Sequence, residues 1–373
     1  MQTLIKWPGG KSSEIPYIVD IIPSFKRYIE PFLGGGAVLF NLKPKKAIIN
    51  DACTELMDFY RFVKNEYNRD EFKKELYSYV NNWEKVPQYL NLFQNKFVKL
   101  YWEYKQNKIA VERLEVIVNE EILGEVKKFN GLFNSCFCLD ENNLLRQIIE
   151  NLISKIQRIK EVELTRGDIP EEDLNKNIET AFRSGFYMHF RDIMNFNGSK
   201  YKVSHAKKVA NYYFVREFCY GSMFRFNSSG HFNIPYGGIA YNSKDFRSKV
   251  DYIFSEEVEA LLKNTVIKNE DFERIFSSVH LTNEDFMFLD PPYDTDFSDY
   301  EGRVFDKNDQ IRLSNCLLNT RAKFILIIKK TDFIHDLYYR RQGIKIDSFE
   351  KKYLYNVKGR NNRDAEHLIV YNF

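Results

Sequence analysis

Short apolar runs, glycine turns and amphipathic stretches alternate at both ends of the chain, and a long middle region breaks that rhythm. Residues 27–31 and 46–51 are brief apolar-rich runs that predict strands, with a helix opening near Gly36 between them. Residues 53–64 follow with helical spacing, and residues 10–22 predict an earlier helix interrupted at Pro16. From about residue 266 the alternation returns, with strands over 286–289, 324–328, 344–349 and 367–371 and helices over 306–319 and 332–340. Repetition of strand, helix and strand predicts a parallel, doubly wound sheet. Between about 61 and 215 the pattern is helical, notably over 90–123 and 144–159, and carries no internal repeat. The expectation is an α/β sheet split by a mostly helical insertion, in segments 1–60, 61–240 and 241–373.

Composition narrows the setting. A chain of 373 residues can hold one large domain with an insertion, or two domains. The formal charge is only +3, so a polyanionic partner has to be met by local patches. The five cysteines, at 53, 136, 138, 219 and 316, lack zinc-site spacing and read as reduced thiols, with no metal expected. The first residues have no apolar signal-peptide core, and the apolar run 324–328 is far too short to span a bilayer. A cytoplasmic protein without a membrane partner is the expectation.

Two constellations carry chemistry. In YIEPFLGGGAVLF, residues 28–40, a strand runs into a glycine turn and a helix start. Such glycines let the backbone turn tightly and let a ligand approach. Asp51 ends the next strand, at the spacing of an acid that accepts ribose hydroxyls. Leu39 stands where a dinucleotide fingerprint has its third glycine, which disfavours a pyrophosphate. A mononucleoside such as S-adenosylmethionine needs no phosphate cradle. Upstream, KWPGGK reads either as an N-terminal hydrophobic anchor or as a lid in which Trp7 and Lys11 touch the cofactor.

The second is FLDPPY, residues 288–293. Two prolines cannot continue a backbone ladder, so the strand stops there, at the end where open α/β sheets bind ligands. The amine on a nucleobase is conjugated with its ring and is a poor nucleophile. Asp290 can accept one of its N–H groups and the Pro291 carbonyl the other, aiming the nitrogen lone pair at an electrophilic methyl. Tyr293 can stack on the base, which has to be flipped out of a duplex to reach such a pocket.

KWPGGK, EPFLGGGAVLF, the acid of IINDA, YGSMFRFNSSGHFNIPYG (220–237) and FLDPPY occur in the order seen in the Dam-like, D12-class (α group) DNA adenine-N6 methyltransferases, which the chain resembles. The resemblance implies a Rossmann-like, S-adenosylmethionine-dependent methyltransferase fold with an inserted target-recognition region. It implies cofactor contacts at Trp7, Lys11, Glu30, Pro31, Phe32, Gly34, Gly36, Asp51 and Asp290, and a catalytic motif of Asp290, Pro291, Pro292 and Tyr293. Segment 220–237 matches a hairpin that enters DNA, which makes Arg225 and Asn227 candidate DNA contacts. Tyr220, Ser222 and Met223 depart from the usual hairpin sequence, and Lys329 and Lys330 stand where a Ser-Asn pair often follows, so the recognised sequence does not transfer.

SKYKVSHAKK, residues 199–208, adds Lys200, Lys202, Lys207 and Lys208 as phosphate candidates, with 358–363 a weaker basic stretch. The expected activity is methylation of adenine N6 in double-stranded DNA by a monomeric or weakly associating enzyme, either within a restriction–modification system, with a cognate restriction endonuclease as a possible partner, or as an orphan or phage methylase. Cytosine N4 methylation, a catalytically silent DNA-binding specificity module and a small-molecule dehydrogenase are the rivals.

Overall fold

A computed structural model describes residues 1–10, 14–134, 137–292, 305–352 and 364–373. The described strands are β1 (Arg27–Glu30), β2 (Ala47–Asn50), β3 (Thr265–Lys268), β4 (Asp285–Leu289), β5 (Lys323–Lys329), β6 (Lys345–Lys352) and β7 (Asp364–Tyr371). They form one sheet in the order β3-β2-β1-β4-β5-β7-β6. Neighbouring strands from β3 to β5 pair in parallel, whereas β7 runs antiparallel to both β5 and β6. This is the mostly parallel, doubly wound sheet expected.

The central strands read as unbroken apolar runs because both of their faces are covered: β4 and the middle of β5 are buried throughout. The edges differ. In β3, Val266 is half exposed, and β6 carries KIDSFEKK, a charged edge that resists pairing with another chain. Register is pinned at the amino ends of β1 and β4, where Arg27 is paired with Asp285. Arg27 Nε and Nη2 donate to the Asp285 carboxylate at 2.8 and 2.9 Å. Burial alone would push the Asp285 carboxyl up, but Arg27 and Thr282 outweigh it and hold the group below the usual carboxylate range.

The chain divides into two compact units. The sheet unit comprises Met1–Tyr67, Phe224–Phe226 and Ile253–Phe373, and the other comprises Asn68–Met223 and Asn227–Tyr252. The second unit is helical, with long helices Glu141–Arg166, Glu171–Asn195 and His205–Phe218. Its core is rich in rings: Phe93, Phe97 and Tyr101 are buried.

Some elements depart from expectation. The helical pattern over 90–123 is two helices, Gln94–Lys105 and Val111–Gly124, because Asn107 takes a left-handed conformation (φ 56°) between them. Of the helix expected over 10–22, residues 11–13 lie outside the described residues; the rest comprises a helix Ile15–Ile18 and a 3₁₀ turn, Val19–Ile21. Pro16 stands in its first turn, where a missing N–H is harmless, so the proline starts the helix rather than interrupting it.

Candidate cofactor and catalytic cavity

In the sheet order, β1 lies between β2 and β4, and the chain leaves β1 toward β2 but later returns on the β4 side. The carboxyl ends of these strands therefore open onto a topological switch point. A cavity of about 460 Å³ lies there, lined by the glycine turn 30–38, residues 50–53 and 270–272, Asp290, Pro291 and Pro292, and Trp7.

The glycine turn is shaped by two positive-φ residues. Gly34 has φ +50°, and a Cβ there would stand 2.8 Å from Trp7 Cδ1. The Trp7 indole rests on the turn and also packs against Phe224, with ring centroids 4.7 Å apart. Trp7 thus joins an anchor and a wall of the cavity in one side chain. Gly36 has φ +69° and opens the helix Ala37–Leu42.

Asp51 closes one side. Its Oδ2 accepts from the Gly34 amide at 2.9 Å and its Oδ1 from the Cys53 amide at 3.0 Å. Burial pushes its carboxyl up, opposed by these backbone donors. Glu30, 2% exposed, lines the floor, and its Oε2 has no hydrogen-bond partner among the described residues. Burial, with the charges of Asp290 and Asp51 added, outweighs the Tyr28 hydroxyl and the Leu39 backbone and raises the Glu30 carboxyl well above the usual carboxylate range. Phe32, Phe272 and Phe305 form a ring cluster on the lining, with centroids 5.4 to 5.7 Å apart.

Several supports were missed in the sequence. Buried Asn50 donates from Nδ2 to the Pro31 and Glu270 carbonyls, both at 3.0 Å, and accepts from the Glu270 amide at 2.9 Å. Asn269 Nδ2 donates to the Asp51 carbonyl at 2.8 Å. These amides tie the loops after β1, β2 and β3 together. An Asn immediately before the acid of IIND was a readable signal for one of them. Phe272 and Phe305 had none, since single phenylalanines are common core residues.

Most cofactor candidates therefore share one cavity: Trp7, Glu30, Pro31, Phe32, Gly34, Gly36, Asp51 and Asp290, together with Pro291 and Pro292. Lys11 and Tyr293 lie outside the described residues, as does the basic stretch 358–363.

The DNA candidates divide. Arg225 is exposed. Asn227 holds a tight turn: its Oδ1 accepts from the Ser229 and His231 amides at 3.0 and 2.9 Å, so that oxygen is committed to the loop. Asn195 pins the return limb, donating to the Phe232 carbonyl at 3.0 Å and accepting from the Phe232 amide at 2.8 Å. Among the lysines, Lys202 is exposed and Lys208 half buried. Lys200 is exposed but pairs with Asp140 at 2.8 Å. Lys207 departs from expectation: it is 6% exposed and its ammonium faces Glu75 at 3.3 Å. Apolar neighbours in the helix His205–Phe218 turn it inward.

The family model described as D12 class N6 adenine-specific DNA methyltransferase matches residues 7–117 and 125–353. The chain belongs to that family. It is 24% identical to the Type II methyltransferase M.CviBI of Paramecium bursaria Chlorella virus NC1A over 380 residues, covering all of both chains. It is 26% identical to the Type II methyltransferase M.MjaIII of Methanocaldococcus jannaschii over 397 residues, covering all of this chain and 99% of that one. A 65-residue stretch, 17% of this chain and 9% of the other, is 38% identical to the DNA N-6-adenine-methyltransferase of Escherichia phage P1. The protein is an adenine-specific DNA methyltransferase with a methyl donor and a DNA substrate. Adenine N6 is thus preferred over the rival cytosine N4. Among the described residues no helix is long and apolar enough to cross a membrane.

Proposed function

We propose that this chain transfers a methyl group from S-adenosylmethionine to N6 of an adenine flipped out of duplex DNA. The observation that carries the reading is the convergence of Glu30, Asp51 and Asp290 on one cavity with a cluster of phenylalanine rings. Carboxylates suit a cationic ligand, the orphaned Oε2 of Glu30 calls for a donor, and the rings offer faces to an adenine. When bound, S-adenosylmethionine supplies an electrophilic methyl on a sulfonium. In this reading Asp51 accepts ribose hydroxyls, Glu30 takes the donor's ammonium, and Trp7 with the glycine turn shapes the wall.

Asp290 and the Pro291 carbonyl accept the two N–H groups of the target amine and hold its lone pair toward the methyl. As the N–C bond forms, the methyl's bond to sulfur breaks and a neutral thioether would leave; positive charge grows on the nitrogen, the Asp290 carboxylate stabilises it, and the extra proton is lost to solvent. Tyr293 stacks on the flipped base, Lys11 adds a cofactor contact, and Arg225, Lys202 and Lys208 meet DNA. The likeness to proteins named Type II methyltransferases supports a restriction–modification role. In this reading the chain works in the cytoplasm as a monomer, with a cognate endonuclease as partner.

Long-read sequencing of DNA from cells expressing the protein tests the reading, because it reports the modified base and its context together. Asp290→Ala is expected to abolish methyl transfer and retain DNA binding, whereas Asp51→Ala weakens S-adenosylmethionine binding by calorimetry. Turnover by Asp290→Ala would overturn the catalytic assignment, and modified DNA with wild-type Asp290 excludes the silent-module rival.

A further inference from the structure

Pro291 and Pro292 have no backbone N–H, so the chain that leaves β4 cannot be tied down through donors of its own there. Something else has to fix the carbonyls beside Asp290. The helix Lys307–Leu318 reaches them. Its amino end is held by a capping box: Asp306 Oδ1 accepts from the Asn308 and Asp309 amides at 2.7 and 3.0 Å, and Asp309 Oδ2 accepts from the Asp306 amide at 3.2 Å. Arg312 of the same helix pairs with Asp309 one turn back at 2.6 Å and reaches the start of the helix Phe272–Ser278 that follows β3, pairing with its cap Asp271 at 2.6 Å and with Glu273 at 2.7 Å. From this fixed base, fully buried Gln310 donates from Nε2 to the Pro292 carbonyl at 3.0 Å. Its Oε1 has no hydrogen-bond partner among the described residues.

A buried amide with one unsatisfied oxygen is destabilising, and an apolar side chain of the same length would carry no such penalty. Packing therefore gives no reason for a glutamine at this position; the bond to Pro292 does. We propose that Gln310 is a positioning residue for methyl transfer, holding the Pro292 carbonyl so that Asp290 and the Pro291 carbonyl face the target amine. It touches neither substrate nor cofactor in this role. The inference rests on the assignment of Asp290 and Pro291 to the amine.

Two variants test it, Gln310→Met, which keeps length without a donor, and Gln310→Glu. Single-turnover methyl transfer is measured with S-adenosylmethionine and a duplex carrying the sequence found by long-read sequencing. Cofactor affinity and melting temperature are followed alongside. Gln310→Met is expected to lower the transfer rate by about 10- to 100-fold, the range for a small misplacement of reacting groups, while the cofactor Kd stays within about twofold of wild type. In Gln310→Glu the ionised carboxylate repels the Pro292 carbonyl, whereas the protonated acid donates to it. Its rate relative to wild type is therefore expected to rise as pH falls. A wild-type rate in Gln310→Met overturns the proposal, as does a rate loss that tracks loss of cofactor binding and melting temperature. Should Gln310→Met fail to fold, a flat Gln310→Glu to wild-type ratio across pH overturns it instead. An active Asp290→Ala sinks the parent assignment, whereas an inactive Asp290→Ala beside a fully active Gln310→Met sinks this one alone.

Discussion

Glu30 shows how one side chain can tune a cavity. Its neighbours there include two further acids, Asp51 and Asp290, and its own Oε2 lacks a hydrogen-bond partner among the described residues. Burial and, in smaller measure, those two charges raise its carboxyl well above the usual range, against the opposing effect of the Tyr28 hydroxyl. A raised carboxyl in the folded state makes stability fall as pH rises above the unfolded value. A cationic ligand opposes that shift, because it favours the carboxylate. Binding of S-adenosylmethionine is then expected to be accompanied by proton release and to tighten as pH rises. Calorimetry in buffers of different ionisation heats measures that proton. Glu30→Gln is expected to release fewer protons and to flatten the pH dependence, and an unchanged proton count would remove Glu30 from this role.

Among the helices, Glu141–Arg166 and Glu171–Asn195 are joined by close contact and by a buried polar cluster. A Cβ at Gly185 would lie 2.6 Å from the Ile148 Cα, so glycine is what lets the two backbones approach. Nearby, His189 Nδ1 bonds Asn143 Oδ1 at 2.8 Å, and Asp192 Oδ2 accepts from Asn143 and Gln147 at 3.1 and 3.2 Å. Burial pushes the His189 imidazole down to about 3, with Asp140 opposing and Lys200 and Lys207 adding to the shift. The unfolded chain takes up a proton near pH 6.5 that the folded chain refuses, so stability is lost as pH falls from there toward 3. The loss from this one group approaches about 1.4 kcal/mol per pH unit. His189→Gln is expected to melt less steeply with acid between pH 6.5 and 4.5, checked by melting temperature against pH. Parallel curves for the two proteins would contradict the assignment.

Over the whole molecule, a formal charge of +3 gives little global attraction to DNA, and binding has to come from local cations. Exposure separates the candidates. Lys202 is free to reach solvent, whereas Lys207 is buried against Glu75. Lys202→Ala is expected to reduce the slope of log affinity against log salt by about one, the signature of a lost phosphate contact. Lys207→Ala should leave that slope alone and lower the melting temperature, because Glu75 loses its partner. Fluorescence titrations of duplex DNA across salt concentrations distinguish the two, and a changed slope in Lys207→Ala would return it to the interface.

What could be read from residues alone is what local physics dictates. Apolar runs bounded by turns marked β1, β2, β4 and β5, since strand and helix periods are properties of neighbouring positions. The glycine turn and the Asp-Pro-Pro stop were legible for the same reason: missing Cβ atoms and missing N–H groups act on their own backbone. Boundaries slipped where a single residue outweighed the pattern, as at Asn107 and Pro16. The rest was decided by tertiary packing. Only the strand order β2-β1-β4 brings Glu30, Asp51 and Asp290, separated by up to 260 positions in the chain, to one cavity. Only packing seats Trp7 on Gly34, buries Lys207 and extends Gln310 to the Pro292 carbonyl. Such proximities depend on which elements become neighbours, and the periodicity of one segment carries no information about its partner.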